Sequence, residues 1–286
     1  MTDAPYELSI GQCATLACLL EATAPKPGNV HRGADFEDMS FTDFVASAAA
    51  IAPAMELAPE RGVGRTVLDS IRATRQLVRA NTNLGMVLLL APMAAVPRTR
   101  DLSHGIGGVL AGLTPNDSRD VYAAIRLARP GGLGDAEEMD VAGEPPASLL
   151  DAMRAAAERD LVARQYAEEF AQILTIVAPW IREGQAEGWS LTESIIHTHL
   201  RLISRFPDSL IARKCGLDTA REVSNRAQAV LSAGTPGEEN YFGAVADFDF
   251  WLRSDGNRRN PGTTADLIAA GLFIGLRDAW IEPPFE

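Results

Sequence analysis

Five short polar stretches hold most of the side chains in this sequence that could do chemistry. The first runs Pro25-Lys26-Pro27-Gly28-Asn29-Val30-His31-Arg32-Gly33-Ala34-Asp35-Phe36-Glu37-Asp38, with Lys26, His31 and Arg32 on one arm and Asp35, Glu37 and Asp38 on the other. Cations so placed can meet an anionic substrate, and the carboxylates can move protons or hold a hard metal ion. Asn81-Thr82-Asn83-Leu84-Gly85 precedes an apolar run and offers helix-cap side chains together with free amides, which suit a phosphate or carboxylate. The glycine-rich segment from Pro130 to Asp140 has no preceding strand and no closing Lys-Ser/Thr pair, so it is not a P-loop. Pro207-Asp208-Ser209 opens a stretch that ends in Arg213-Lys214. The last, from Asp255 to Gly262, carries Arg258 and Arg259 and leads through Thr263 to Asp266. Taken singly, each also reads as a solvated loop or an ordinary helix cap.

The elements that must position these residues read as helices. Two prolines a residue apart stop the first helical pattern, Leu8 to Ala22, because they fix φ and remove backbone donors. Ser40-Phe41-Thr42-Asp43 and Ser190-Leu191-Thr192-Glu193 are capping boxes, and Thr114-Pro115-Asn116-Asp117 adds a proline in the first turn. Apolar periodicity predicts further helices over Gly62 to Arg79, Met86 to Ala95, Tyr241 to Arg253 and Leu267 to Leu276. Ser148 to Arg182 reads as one long helix, with Asp160, Arg164 and Glu168 one turn apart as a charged ladder. His197 and His199, two residues apart on a helix, face different ways and read as structural. No segment alternates as a strand does, and no repeat or linker composition divides the chain. The expectation is all-α: a multi-helix bundle in a single domain over residues 1–286, with a polar cleft formed by interhelical loops.

Composition limits the function. The 286 residues are 47% apolar and 22% charged, as in soluble globular proteins. A net charge of −12 argues against non-specific nucleic-acid or membrane-surface binding, since both want a basic face. Cys13, Cys18 and Cys215 offer neither a disulfide framework nor metal-ligand spacing, which fits a reducing compartment. Met1 to Ser9 lacks a basic region followed by an apolar run, so no secretory signal is expected and the expected location is cytoplasmic. The apolar run Met86 to Val96 is too short to span a bilayer.

Lys26, Arg32, Arg213, Lys214, Arg258 and Arg259 supply cations, while Asp35, Glu37, Asp38, Asp208 and Asp266 supply carboxylates. Cations beside hard oxygen ligands and helix starts are what a polyphosphate with magnesium requires. From Glu21 to Leu276 the chain resembles the triphosphoribosyl-dephospho-CoA synthase family of helical enzymes. The resemblance is carried by Pro25-Lys26-Pro27-Gly28 with Arg32 and Asp38-Met39, Asn81-Thr82 with Gly85, Pro207-Asp208-Ser209, and Pro261-Gly262 with Ala265-Asp266-Leu267. It implies a transferase for which ATP is a substrate and magnesium an expected companion: the triphosphoribosyl group moves to a ribose hydroxyl of dephospho-CoA, and adenine leaves. By the same resemblance Lys26, Arg32, Asn81, Thr82, Arg213, Gly262 and Thr263 would bind nucleotide or phosphate. Asp38, Asp208 and Asp266 would be catalytic, with Asp38 and Asp208 also candidate magnesium ligands.

The sequence departs from the family pattern at three places. Phe36 stands where a histidine is usual, Asn83-Leu84 where His-Lys is usual, and Arg213-Lys214-Cys215-Gly216 where His-Arg-Gly-Gly is usual. A related ribosyl or phosphoribosyl transferase with another acceptor, for example in the biosynthesis of a one-carbon-carrying cofactor, therefore stands as an alternative. A nucleotide-binding helical protein without catalysis is a second. The partners expected are small-molecule nucleotides, not nucleic acid or membrane.

Overall fold

A computed structural model describes residues 7–131 and 141–285. Two helices with almost no polar face form its centre. α5 (Leu84–Ala95) buries ten of its twelve residues and α15 (Gly262–Arg277) buries fourteen of its sixteen. Helices apolar on all sides have to be enclosed by others. α1 (Ile10–Thr23), α2 (Phe41–Glu56) and α4 (Val63–Leu77) pack around one side of this pair. α9 (Leu161–Ala167) and α10 (Ala178–Ala186) pack on the other, with α7 (Pro115–Ala128) laid on α4. The short helices α3 (Ala58–Arg61), α6 (Leu102–Ala111) and α8 (Leu149–Ala156) complete this layer.

α11 (Leu191–Arg205) joins the main core to a smaller one. Ile195 and Leu202 belong to the main core, whereas Leu200 and Ile203 pack with Ile211, Val223, Tyr241 and Phe248. That second cluster is supplied by α12 (Ser209–Cys215), α13 (Leu217–Ser232) and α14 (Glu239–Arg253). Among the described residues the extended backbone amounts to β1 (Ser254–Asn257), which joins no sheet, and an isolated bridge between His31 and Ala34. The all-α expectation holds.

The local signals set most helix starts. Ser40 with Asp43, Thr114 with Asp117 and Ser190 with Glu193 form the anticipated capping boxes, and Ser9 with Gln12 forms another. The single helix expected over Ser148 to Arg182 does not form. It is replaced by α8, α9, a π-helical turn at Ile173–Val177, and α10. Asp160 starts α9 instead of pairing along a ladder: its Oδ1 accepts from the Val162 and Ala163 amides at 2.8 and 3.0 Å. Arg164 donates instead to the Ala157 carbonyl at 3.3 Å. Glu169 and Phe170 then take positive φ values of 50° and 61°, and no helix passes through two such residues. Asp218 lies in the first turn of α13, whose cap is Gly216.

One carboxylate joins the two helices that enter the centre from the C-terminal third. Asp208, fully buried, accepts from the Leu210 and Ile211 amides at 2.9 and 3.0 Å with Oδ1. Its Oδ2 accepts from the Thr264 amide at 2.7 Å and the Thr264 hydroxyl at 2.8 Å. The N-termini of α12 and α15 are thereby held on a single side chain. Ser209 extends the junction, donating to Thr263 Oγ1 at 3.0 Å and accepting from the Leu161 amide at 3.3 Å. Asp208→Ala strands four donors and should cost roughly 3–5 kcal/mol of unfolding free energy. Asp208→Asn should cost nearly as much, because its amide must face one pair of donors. Urea denaturation measures both, and a loss below about 1 kcal/mol for either would contradict the assigned role.

Candidate active site

A cavity of about 730 Å³ opens where these helix starts converge. The first turns of α5 and α15 form one wall, through Leu84, Gly85, Gly262 and Thr263. The polar loops before α2 and α15 close another, through Asn29, Asp38, Asn257 and Asn260. Apolar side chains line the rest, among them Met86, Leu88, Ile125, Leu149, Met153 and Val162.

Seven of the ten residues singled out from the sequence line this space: Asp38, Asn81, Thr82, Arg213, Gly262, Thr263 and Asp266. The other three do not. Lys26 is fully buried, its Nζ 2.8 Å from Glu21 Oε1 and donating to the Glu21 and Ala24 carbonyls. Its three donors are thus satisfied inside the protein, which leaves none for a phosphate. Arg32 is exposed on the first loop, outside the lining. Asp208 has both oxygens filled by backbone and threonine donors and no exposure, so it is neither an open base nor an open metal ligand.

Glycines make two of the approaches possible. Gly28 adopts φ +77°, donates its amide to Asp249 Oδ1 at 2.7 Å, and lies so close to Leu252 and Pro261 that a side chain would collide with both. The first loop is thereby docked on α14 and on the loop before α15; Asn29 Nδ2 to Asn260 Oδ1 at 2.7 Å adds to this. At Gly85 a side-chain carbon would fall 2.0 Å from Asp266 Oδ2. Asp266 therefore rests on the backbone at the start of α5.

Asp266 is a carboxyl of the cavity without a protein partner among the described residues. It makes no hydrogen bond or ion pair with a described residue, and it is partly open to the cavity while enclosed elsewhere. Burial raises its pKa well above the usual carboxylate range; Glu21, Asp208 and Asp160 push it further up, and Arg213 opposes them. A carboxyl whose pKa is raised keeps its proton to higher pH than an ordinary carboxylate, and it can deliver that proton.

Positive charge lines the same cavity. Arg213 pairs with Asp160, both about a quarter exposed, and its buried Nε has no partner. Arg75, Arg79, Arg129, Arg159 and Lys214 also line the cavity, and none of them makes an ion pair with a described residue. In a chain of net charge −12, cations that make no ion pair with a described carboxylate are suited to an anion. The starts of α5 and α15 add amide donors of the same polarity. The Gly131-side loop contributes Arg129, Pro130 and Gly131 to the lining, while residues 132–140 lie outside the described set.

Metal binding was expected at Asp38 and Asp208. Among the described residues no group of three or more His, Cys, Asp or Glu side chains is placed to hold a metal ion. Asp38 instead accepts from Asn257 Nδ2 at 3.0 Å. The described side chains do not fit a magnesium ion held by the protein. His197 and His199 are structural as read: His197 lies 3.1 Å from the Tyr241 hydroxyl, and burial beside Lys26 pulls fully buried His199 down to about 3. No helix among the described residues is long and apolar enough to cross a membrane.

Several lining residues carry little signal in the sequence. Arg75 and Arg79 follow the polar side of α4 and look like solvated helix charges; Arg159 and Asp160 lay inside what read as a continuous helix. Glu21 sits in an apolar stripe and is visible only as an acid five residues before Lys26. The unfavourable position of a carboxylate on a buried helix face was the available signal.

Comparison with known proteins fits this geometry. The family model described as CitG: ATP:dephospho-CoA triphosphoribosyl transferase matches residues 7–284. A relative from Malonomonas rubra, assigned as a 2-(5''-triphosphoribosyl)-3'-dephosphocoenzyme-A synthase, is 27% identical over 93% of this chain and 86% of its own. One from Azotobacter vinelandii with the same assignment is 24% identical over 91% and 88%. A solved structure from Archaeoglobus fulgidus, assigned as a triphosphoribosyl-dephospho-CoA synthase, superposes with a TM-score of 0.62 at 26% identity, covering 82% of this chain and 99% of that one.

The environment of Asp266 makes a stability prediction. Its folded-state pKa lies above its unfolded value of about 4, so its contribution is complete below that value and is lost as pH rises towards the folded one. Asp266→Asn, which cannot ionise, should flatten this slope and melt at or above the parent's temperature in alkaline buffer. Thermal melts of both proteins across pH check it; parallel curves would contradict the raised pKa.

Proposed function

We infer, for a chain that belongs to the ATP:dephospho-CoA triphosphoribosyl transferase family, that this cavity binds ATP and dephospho-CoA and moves the triphosphoribosyl group between them. The observation that carries the reading is that one cavity holds five cations with no ion-pair partner among the described residues together with Asp266, a carboxyl of raised pKa that bonds to no described residue. The triphosphate lies along Arg75, Arg79, Arg129, Arg159 and Lys214, with Arg213 at the inner end. Its charge is neutralised there without desolvating a carboxylate partner for each cation. Magnesium arrives in this reading as part of the nucleotide, on the triphosphate's own oxygens.

The reaction breaks the bond between the ribose anomeric carbon and adenine, and the electron pair leaves with the base. Asp266 gives its proton to the departing adenine nitrogen, which makes the leaving group neutral. The anomeric carbon carries developing positive charge, which nearby carboxylates stabilise. The acceptor oxygen then forms the new bond. The apolar wall of Met86, Leu88, Ile125 and Met153 takes uncharged parts of the two substrates and keeps water from competing. Asp38, Asn81, Thr82, Gly262 and Thr263 contribute hydrogen-bonding atoms around the sugars and phosphates. A single domain with a cytoplasmic location completes the proposal, since both substrates are soluble metabolites of that compartment. The smaller core shares α11 with the larger one and supplies Arg213 and Lys214, which supports one domain.

The experiment is adenine release and product formation from ATP and dephospho-CoA, followed by chromatography. The parent should form one new nucleotide product per adenine released. Asp266→Asn should lower kcat by about 100-fold or more, the usual scale for a lost general acid. Arg79→Ala or Arg159→Ala should raise the KM for ATP about tenfold, roughly the loss of one charge-assisted contact, with less effect on kcat. Adenine release that needs no acceptor would identify a hydrolase, and ATP binding without turnover on dephospho-CoA would favour another acceptor.

A further inference from the structure

We propose that Glu21 is a catalytic residue of this cavity, the base that takes the proton from the attacking hydroxyl, and that buried Lys26 is the positioning residue that keeps it ionised. The proposal rests on the transferase reading and completes its proton balance. Three features of the geometry carry it. Glu21 lies on a buried face of α1, where an unpaired acid would be costly, yet it reaches the lining of the cavity with 3% of its side chain accessible. Its Oε1 is held by Lys26 Nζ at 2.8 Å, whereas Oε2 has no protein partner among the described residues. Lys26 spends all three donors on Glu21 and the Glu21 and Ala24 carbonyls, so its charge serves this carboxylate and nothing in the cavity.

Two carboxyl groups thus face one space in different surroundings. Glu21 has a buried cation on it; Asp266 has none and is surrounded by Glu21, Asp208 and Asp160, with Arg213 as the nearest cation. Burial raises the pKa of Glu21 and Lys26 offsets part of that rise; the other titratable group facing both acids, the Cys18 thiol, is driven up by burial and by the two carboxyls. Divergent environments for paired carboxyls are how acid and base roles are divided at one pH. The step balances. The bond from the anomeric carbon to adenine breaks as the one to the acceptor oxygen forms; the acceptor proton goes to Glu21 Oε2, and the Asp266 proton goes to adenine. Afterwards Glu21 holds one proton and Asp266 has lost one, so a transfer between them or through solvent restores the starting state.

The test uses full-length protein with ATP and dephospho-CoA. Glu21→Gln should lower kcat by about 100-fold, leave ATP binding within threefold by calorimetry, and abolish the acidic limb of the kcat–pH profile. Removing the Glu21 charge should also move the alkaline limb, which reports Asp266, to lower pH; loss of packing alone would not do so. Because Glu21→Gln strands the Lys26 charge, the double variant Glu21→Gln/Lys26→Met serves if the single one is unstable, as it removes both charges together. The double variant should fold, bind ATP and remain about 100-fold impaired. Turnover within tenfold of the parent in either variant, or retention of the acidic limb, overturns the role of Glu21 while the transferase reading stands. A parent protein that releases no adenine from these substrates overturns both.

Discussion

The fold depends on a carboxylate that never meets the substrate. Asp208 gives its two oxygens to four donors at the starts of α12 and α15, two segments more than fifty residues apart in sequence. Only a side chain with two acceptor atoms and no hydrogen of its own could serve both helix starts. Burial raises its pKa, while the donors from Thr264 and Ile211 lower it again. With the two helices held there, Arg213, one turn into α12, and Asp266, just past the first turn of α15, face the same space.

The same constraint explains how an acidic protein builds an anion site. Its carboxylates near the cavity are spent on backbone amides, as Asp160 and Asp208 are, or on an internal cation, as Glu21 is. Apart from Arg213, which pairs with Asp160, the cations of the rim make no ion pair with a described residue. Glu21 and Asp160 share the interior with Asp266, and their charge supports its protonation. What surrounds each carboxylate therefore separates the one that serves as scaffold, Asp208, from those that open to the cavity, Glu21 and Asp266.

Much of this was legible in the sequence because it is local. Ser40 with Asp43, Thr114 with Asp117 and Ser190 with Glu193 set helix starts through contacts three residues apart. The loops around Asn81, Asp208 and Asp266 could be picked out because polar residues interrupt apolar helices there. What was not legible depends on distant partners. The breaks after Ala156 and Ala167 have no glycine or proline; they follow from Asp160 capping α9 and from positive φ at Glu169 and Phe170. Lys26 stood in a polar loop and suggested phosphate contact, but burial against Glu21 makes it internal. Arg75, Arg79 and Arg159 looked like surface charge, and only the packing of α4, α8 and α9 turns them toward a cavity.

The central claim is that separate helix starts make one nucleotide site with Asp266 at the bond that breaks. A crystal structure of the protein soaked with ATP tests it most directly. The account predicts phosphates among Arg79, Arg159 and Lys214, and the Asp266 carboxyl about 3 Å from an adenine nitrogen, within hydrogen-bond reach. A nucleotide bound elsewhere, or bound here with its triphosphate against Asp266, would contradict it.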